Sequence, residues 1–220
     1  MATKTRRRDG ATMKAVILDY GEVLVHRPPS HEFSRMAEIF GINLDSFVAL
    51  WERTRFLVDS GQLTPEAYWG KFAEETQTKP SPEQIETLIR WEIEMWSNPD
   101  PIMVDWLLKV SEAGIKTALL SNMPLDLAAH VQKQFGWMNK FDFKTFSSHV
   151  SLLKPDPAIY EYTLRGLGVQ PSETLFVDDR PPNIEAARAL GMHAIRFLSS
   201  AQLRNDLEVL GFPVLPDART

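Results

Sequence analysis

The sequence lacks cysteine altogether, since none occurs among its 220 residues. Disulfide bonds, thiolate metal sites and cysteine nucleophiles are therefore excluded, and an intracellular, cytoplasmic location fits this composition. Apolar runs are also short, and none approaches the roughly 18 residues that a membrane-spanning helix needs. Basic residues are in deficit, because 24 Lys and Arg against 29 Asp and Glu give a net charge of −5. A chain without a broad basic face is not expected to bind nucleic acid or an anionic membrane.

The remaining composition is that of an ordinary globular protein, with 44% hydrophobic and 24% charged residues. A length of 220 residues allows one sizeable domain, or a core domain with a small insertion. Residues 1–12, MATKTRRRDGAT, are basic and lack the apolar segment of a signal peptide. We predict that they form a disordered basic leader.

Strand-like and helix-like patterns alternate along most of the chain. The predicted strands are 14–18, 116–120, 144–147, 174–177 and 193–197. Strands that alternate with helices of this length predict an α/β fold with a Rossmann-like, doubly wound parallel sheet. Between residues 30 and 97 only helical periodicity is found. We therefore predict an α/β core of residues 13–26 and 99–220, with an all-helical insertion at residues 27–98.

Helix starts within the insertion have a clear signature. Thr64-Pro65-Glu66 and Ser81-Pro82-Glu83 each place a hydroxyl N-cap directly before a proline at the first helical position. Several aromatic residues fall in these helices, and we expect them to form the packed core of a helical bundle rather than a platform for stacking bases. They are Trp51, Phe56, Tyr68, Trp69, Phe72, Trp91 and Trp96.

Polar side chains follow four of the predicted strands or their connections. They are Asp19, Ser121-Asn122, Lys154 in the segment Lys154-Pro155-Asp156, and Asp178-Asp179. Each could have a structural role, such as a helix N-cap or a surface charge. Parallel strands, however, bring their carboxyl ends to one edge of the sheet, so these groups are expected to converge there.

Phosphoryl transfer is the chemistry that such a set suits. A carboxylate, Asp19, can attack phosphorus if a cation offsets the charge of the phosphate. Mg²⁺ prefers one or two carboxylates together with water and substrate oxygens. Lys154 and the Ser121 hydroxyl can hold phosphate oxygens. These residues predict an aspartyl-phosphate on Asp19, which water then cleaves.

The order of these motifs resembles that of the haloacid dehalogenase (HAD) superfamily of phosphatases, over about residues 14–200. Motif one of that family, Asp-x-Asp-x-(Thr/Val)-Leu after a strand, is matched by DYGEVL at residues 19–24. The second motif, Ser or Thr followed by Asn, is matched by Ser121-Asn122, and the third by Lys154 in LLKPDPAIY. The fourth is matched by LFVDDRPPNIEAARALGM, residues 175–192.

The resemblance implies roles for the matching residues. Asp19 would be the nucleophile and a ligand of Mg²⁺, with the Gly21 carbonyl as a second ligand. Asp179 would bind Mg²⁺ directly, and Asp178 directly or through water. Asn183, which stands where many relatives have an acid, would order the Asp178-Asp179 loop.

The helical insertion at 27–98 corresponds to a cap that closes over the site in this family. Such closure leaves room for a small phosphorylated metabolite rather than a protein. Residues 59–69, DSGQLTPEAYW, resemble the glycine-containing turn with which such caps approach the site. Arg53 and Arg55 could contact a sugar or carboxylate group of the substrate, or could lie on a solvated helix face; we name Arg55 as a candidate substrate contact.

Motif one departs from the family pattern, because Gly21 stands where the second aspartate is expected. That aspartate protonates the leaving group in the family. A subset that resembles bacterial sugar-1-phosphate phosphatases has Asp-x-Gly-Asn-Val at this place. Sugar phosphates are therefore among the candidate substrates. The phosphatase domain of soluble epoxide hydrolases is a more distant likeness. Glu22 is a further candidate for contact with the substrate and could replace the missing acid, but strand alternation predicts that it points outward. We expect Gly21→Asp to speed the hydrolysis of simple alkyl phosphates more than that of aryl or anomeric phosphates.

The same residues allow two functions other than that of a Mg²⁺-dependent phosphatase. A 2-haloacid dehalogenase uses the same aspartate on carbon and needs no metal, but it would not need the paired acids Asp178-Asp179. A catalytically silent relative that binds a metabolite or a protein is the other, and Gly21 is the residue that favours it. The oligomeric state and the substrate are not predicted from the sequence.

Overall fold

The computed structural model describes residues 13–217 of the chain. The predicted basic leader, residues 1–12, lies outside the described residues. Five parallel strands form one sheet in the order β3-β2-β1-β4-β5. They are β1 (Ala15–Leu18), β2 (Lys116–Ser121), β3 (Phe143–Phe146), β4 (Thr174–Asp178) and β5 (His193–Arg196).

Helices connect all of these strands. In chain order they are α1 (Ser30–Ile39), α2 (Leu44–Thr54), α3 (Phe56–Asp59), α4 (Pro65–Thr76), α5 (Pro82–Met95), α6 (Pro101–Glu112), α7 (Leu125–Gln134), α8 (Ser147–Val150), α9 (Pro157–Leu167), α10 (Pro181–Ala189) and α11 (Ser200–Leu210). The predicted doubly wound α/β fold is confirmed, and every predicted strand is present with its ends shifted by at most one residue.

Both faces of the sheet are covered. Along the central strand β1, Val16 and Leu18 pack into one apolar cluster, and Ala15 and Ile17 pack into another on the opposite face. The alternation follows from the period of two in a strand. Because both faces are buried, β1 has no polar position before its end, which explains its uninterrupted apolar sequence.

Helices α1 to α5 lie between β1 and β2 and have an apolar core of their own, built around Phe40, Phe47, Trp69 and Phe72. The predicted N-caps are present: the Thr64 hydroxyl accepts from the Ala67 N–H at 3.2 Å, and Ser81 forms a capping box with Gln84. These helices form the helical cap that the fold class predicted. Its limits at residues 27 and 98 stay predictions. Across the described residues, no helix is long and apolar enough to cross a membrane.

The aromatic residues of the cap do not all lie in its core. Tyr68, Trp69 and Phe72 are buried there as expected. Trp51, Trp91 and Trp96 are half-buried and pack against that core, and Trp51 and Trp96 also line a cavity between the cap and the sheet. Phe56 is 49% exposed beside this cavity, so the expectation of a packed position is wrong for Phe56.

Candidate active site at the carboxyl edge of the sheet

Strand register brings the predicted groups together. Leu18 of β1 pairs with Leu119 of β2 on one side and with Val177 of β4 on the other. The residue after Leu18 is Asp19, so its neighbours at the next position are the ends of β2 and β4. Asp19, Ser121 and Asp178 therefore meet at one edge, which is the edge where open parallel sheets bind ligands.

Lys154 lies at the centre of this group. Its Nζ is 2.7 Å from Oδ1 of Asp19 and 2.7 Å from Oδ2 of Asp178, and all three side chains are buried. Burial alone would lower the pKa of Lys154, but the carboxylates of Asp178 and Asp19 outweigh it and raise that pKa. The lysine is therefore a fixed positive charge that holds the two carboxylates in place.

The two carboxylate oxygens of Asp19 differ in their contacts with the protein. Oδ1 accepts from the Tyr20 N–H at 2.7 Å and contacts Lys154. Oδ2 has no hydrogen bond within residues 13–217. Burial raises the pKa of Asp19 to about 7, with Lys154 acting in the opposite direction and the charges of Asp178 and Asp179 adding to the rise.

Asp178 is fully engaged by the protein. Its Oδ1 accepts from the Arg180 N–H at 2.8 Å, and the Asn183 amide donates to both of its oxygens at 2.9 and 3.0 Å. With the bond from Lys154, four contacts fix this carboxylate. The alternative role of Asp178-Asp179 as a helix cap is not observed, since the N-cap of α10 is Arg180 and makes no side-chain capping bond.

Asp179 completes a three-carboxylate cluster. One oxygen each of Asp19, Asp178 and Asp179 lie within 4.8 Å of one another. Burial, followed by the charge of Asp178, raises the pKa of Asp179 to about 6. Three carboxylates against the single charge of Lys154 leave the cluster with excess negative charge, and oxygen-only donors suit a hard divalent cation. The cluster therefore fits a metal site.

The motif-two residues divide between the cavity and the backbone. Ser121 is buried and lines the cavity at the end of β2. The Asn122 amide is bonded to Lys154 on both sides, donating to its carbonyl at 3.0 Å and accepting from its N–H at 2.9 Å. Asn122 therefore positions the lysine loop, a role that its place after Ser121 did not reveal.

Motif one ends in a turn that changes the direction of Glu22. This residue has a left-handed backbone, with φ of +57°, and its half-buried side chain lines the cavity, 3.8 Å from the guanidinium of Arg27. The expectation that Glu22 points outward is wrong, because the alternation of a strand no longer holds once the backbone enters the left-handed region. Gly21 lines the same cavity.

The two arginines of the cap have different surroundings. Arg53 is 68% exposed at its side chain and pairs with Glu75, so it lies on a solvated helix face. Arg55 is half-buried, with its side chain 11% exposed; it lies 2.9 Å from Asp59, pairs with Glu92 and stacks over the ring of Trp51. Burial alone would lower the pKa of Arg55, but Asp59 and Glu92 raise it. A solvated position is therefore wrong for Arg55, which lines the cavity with its charge already compensated.

The turn of residues 59–69 joins the cap to the sheet edge. The Ser147 hydroxyl, at the start of α8 directly after β3, donates to the Asp59 carbonyl at 2.5 Å. A Cβ added to Gly61 would lie 2.7 Å from the carbonyl oxygen of Ser148. The close approach of these two backbones explains why glycine occupies this position.

Fold and site together define an α/β enzyme with a carboxylate cluster at the carboxyl edge of a parallel sheet. The chain belongs to the haloacid dehalogenase-like hydrolase family, whose model matches residues 13–191. This confirms the resemblance to the HAD superfamily, though not to its sugar-phosphatase subset.

Two curated proteins illustrate the range of relatives. The chain is 26% identical over 190 residues to the sesquiterpene phosphatase AstK of Aspergillus oryzae, covering 86% of this chain and 92% of that protein. It is 33% identical over 125 residues to acyl-CoA dehydrogenase family member 10 of Mus musculus, covering 52% of this chain but only 11% of that protein. The chain thus spans about a tenth of this second relative.

Solved structures share the fold. A HAD family enzyme of Bacteroides thetaiotaomicron in complex with magnesium and inorganic phosphate has a TM-score of 0.69 at 22% identity, over 84% of this chain and 93% of that one. The L-2-haloacid dehalogenase of Xanthobacter autotrophicus with chloropropionic acid covalently bound has a TM-score of 0.65 at 19% identity, over 93% of this chain and 85% of that one. At these identities the likeness concerns the fold alone.

Proposed function

We propose that this hydrolase is a Mg²⁺-dependent phosphatase that cleaves a small phosphate monoester through an aspartyl-phosphate on Asp19. The observation that carries the proposal is the placement of Lys154 at 2.7 Å from both Asp19 and Asp178, beside a cluster of three carboxylates. A bound Mg²⁺ would supply positive charge that neutralises phosphate oxygens. The phosphatase activity in the name of the Aspergillus relative supports the same reaction class.

The protein's own groups divide the work as follows. Oδ2 of Asp19 attacks phosphorus, and the bond from phosphorus to the alcohol oxygen breaks. Lys154 and the Ser121 hydroxyl hold the phosphate oxygens, with Asn122 positioning the lysine backbone. Water then adds its oxygen to phosphorus, the bond from phosphorus to Oδ2 of Asp19 breaks, and inorganic phosphate leaves with the protons of the water as the Asp19 carboxylate is regenerated. The departing alcohol takes its proton from water or from Glu22, since Gly21 has no side chain to provide one.

The two alternatives differ from this proposal at named groups. A dehalogenase would form an ester between Asp19 and carbon with release of halide. That reaction needs no metal ion, so it does not require the excess negative charge of Asp178 and Asp179. A silent relative would have no need for an unbonded Oδ2 on a buried Asp19. A sugar phosphate as substrate follows only from the resemblance in motif one and stays a prediction.

The test measures phosphate release from acetyl phosphate and simple alkyl phosphates, with the chain treated with EDTA and then supplied with Mg²⁺. We expect loss of turnover with EDTA, recovery with Mg²⁺, and covalent labelling of wild type but not of Asp19→Asn by radiolabelled acetyl phosphate in rapid-quench experiments. Asp105→Asn, at a half-exposed ion pair with Lys109, is the matched control. Halide release from 2-chloropropionate in EDTA would establish the dehalogenase instead. Turnover of Asp19→Asn within about tenfold of wild type, a barrier change of only about 1.4 kcal/mol, would exclude the covalent route.

A further inference from the structure

The cavity above Asp19 has two kinds of wall. Its volume is about 860 Å³, within the range of about 300–1,000 Å³ in which drug-sized ligands are held. The end formed by the sheet edge carries the charged and polar groups of the site. The wall formed by the cap is largely apolar, with Phe33, Leu44, Val48, Trp51, Phe56 and Trp96.

Helix α2 shows why this wall is available to a ligand. Phe47 and Leu50 are buried in the cap core, which accounts for one apolar face of the helix. Leu44 lies outside that core and Val48 packs against it, and both are only half-buried and line the cavity. The cap core therefore leaves apolar surface of this helix uncovered on the side of the cavity.

The charge of Arg55 on the same wall is already paired, since its guanidinium forms ion pairs with the buried carboxylates of Asp59 and Glu92. The indole N–H of Trp51 is a buried donor of this wall without a hydrogen-bond partner among the described residues. Ser30 and Glu52, which also line the cavity, are solvent-exposed. A sugar would need partners for several hydroxyl groups as it left water, and leaving them unpaired would weaken its binding.

The apolar wall begins directly beside the reacting groups. The indole of Trp96 lies against Gly21, two residues from Asp19, at 3.3 Å from a Cβ built on that glycine. Two further apolar residues that line the cavity reach the solvent, since Leu198 is 66% exposed and Phe56 is 49% exposed. Apolar surface therefore extends from the phosphate end to the solvent.

We propose that the substrate is a phosphate monoester whose leaving group is a large hydrocarbon group, bound along the cap wall by Leu44, Val48 and Trp96. The assignment rests on the proposed phosphatase function and names its substrate class. Burial of hydrocarbon is the driving force, and each methylene removed from water contributes up to about fourfold in kcat/KM.

The test uses esters of primary alcohols, whose leaving groups have similar pKa values. They are ethyl, butyl and octyl phosphate, each below its aggregation concentration, with a hexose 6-phosphate for comparison. We expect kcat/KM in Mg²⁺ to rise with chain length and to exceed the value for the hexose phosphate by about 10²-fold for octyl phosphate. In Leu44→Asn/Val48→Thr the ratio of octyl to ethyl phosphate should fall by about tenfold or more, since two apolar contacts become polar.

The matched control is Val209→Thr/Leu210→Asn, which makes the same two exchanges at exposed positions of α11 that do not line the cavity. Its octyl-to-ethyl ratio should equal that of wild type. A flat series with Asp19-dependent turnover would overturn the substrate class and leave the phosphatase intact. Equal ratios in the two double variants would also overturn it. If no ester and no acetyl phosphate releases phosphate, the phosphatase proposal and this inference both fail.

Discussion

Gly21 lies against the indole ring of Trp96, so closely that a side chain at this position would require the ring to shift. A Cβ built on Gly21 would be 3.3 Å from Cζ3 of Trp96, closer than ordinary van der Waals contact. Trp96 follows α5 of the cap, and its carbonyl accepts from the Tyr20 hydroxyl at 2.7 Å. A tryptophan of the cap thus lies against the motif-one position at which the family pattern has an aspartate. The cap is an integral part of this site.

The first prediction concerns this pair. Gly21→Asp alone should lower the melting temperature and fail to speed alkyl phosphate hydrolysis, because the new side chain must displace the indole, at a cost of about 1–3 kcal/mol. The motif pattern alone predicts the opposite, namely that Gly21→Asp speeds the hydrolysis of alkyl phosphates. In the double variant Gly21→Asp/Trp96→Ala, the destabilising effect of the new aspartate should be reduced. A double-mutant cycle of the free energy of unfolding should then show a coupling of about 1 kcal/mol or more between the two changes. Strict additivity of the two changes would contradict the steric account.

The second prediction separates the metal ligand from its support. Asp179→Ala should raise the Mg²⁺ concentration for half-maximal activity by about tenfold or more, since one carboxylate contact of about 1.4 kcal/mol is lost. Asn183→Ala should raise it less than about threefold, but should reduce the free energy of unfolding by about 1–3 kcal/mol, because both oxygens of buried Asp178 lose a donor. Mg²⁺ titrations and denaturant curves measure the two effects. Equal shifts in the Mg²⁺ requirement would mean that the two roles are wrongly assigned.

The third prediction is the dependence of stability on pH. The pKa of Asp19 is raised from 3.8 to about 7 and that of Asp179 from 3.8 to about 6, mainly by burial. The folded state therefore binds more protons than the unfolded state between about pH 4 and pH 7, so the free energy of unfolding falls as pH rises through this window. Mg²⁺ should oppose that fall by binding the ionised folded form.

Melting temperatures from pH 4.5 to pH 8, in EDTA and in millimolar Mg²⁺, provide the measurement. Asp19→Asn should show a shallower fall in EDTA. Glu92→Gln is the matched control: burial raises the pKa of Glu92 to about 7, so its loss also flattens the curve, but Glu92 lies outside the carboxylate cluster. The Mg²⁺ effect should survive in Glu92→Gln. A melting temperature independent of Mg²⁺ at pH 8 in wild type would count against a metal site.

The fourth prediction tests the contact between the cap and the sheet edge. Gly61→Ala places a Cβ at 2.7 Å from the Ser148 carbonyl oxygen and also adopts a φ of +73°. Gly41→Ala has a similar φ of +60° but meets nothing within 4 Å, so it shares the backbone strain without the clash. Each should lose about 1 kcal/mol of stability from the left-handed backbone. Only Gly61→Ala should reduce kcat/KM, because it separates the turn from Ser148. Equal kinetics in the two variants would show that the contact is unimportant for closure.

The sequence alone determined the α/β fold and the place of the polar groups at the carboxyl edge. The uninterrupted apolar run of β1 requires burial on both faces, and alternating helices require parallel strands. Parallel strands in turn bring Asp19, Ser121 and Asp178 to one edge, whatever the details of packing. These predictions depend on the local pattern of apolar and polar residues and on the order of strands and helices, and a single sequence contains both.

Only the tertiary structure decided how the surrounding side chains are used. The contact of Gly21 with Trp96 joins residues far apart in the chain, and nothing in either segment indicates the other. The sequence around Arg55 is typical of a surface helix. In the fold, however, Asp59 of α3 and Glu92 of α5 both form ion pairs with it. Glu22 faces the cavity because a left-handed backbone interrupts the alternation of the strand. Side-chain orientation at such sites is set by the packing of distant elements, which periodicity does not encode.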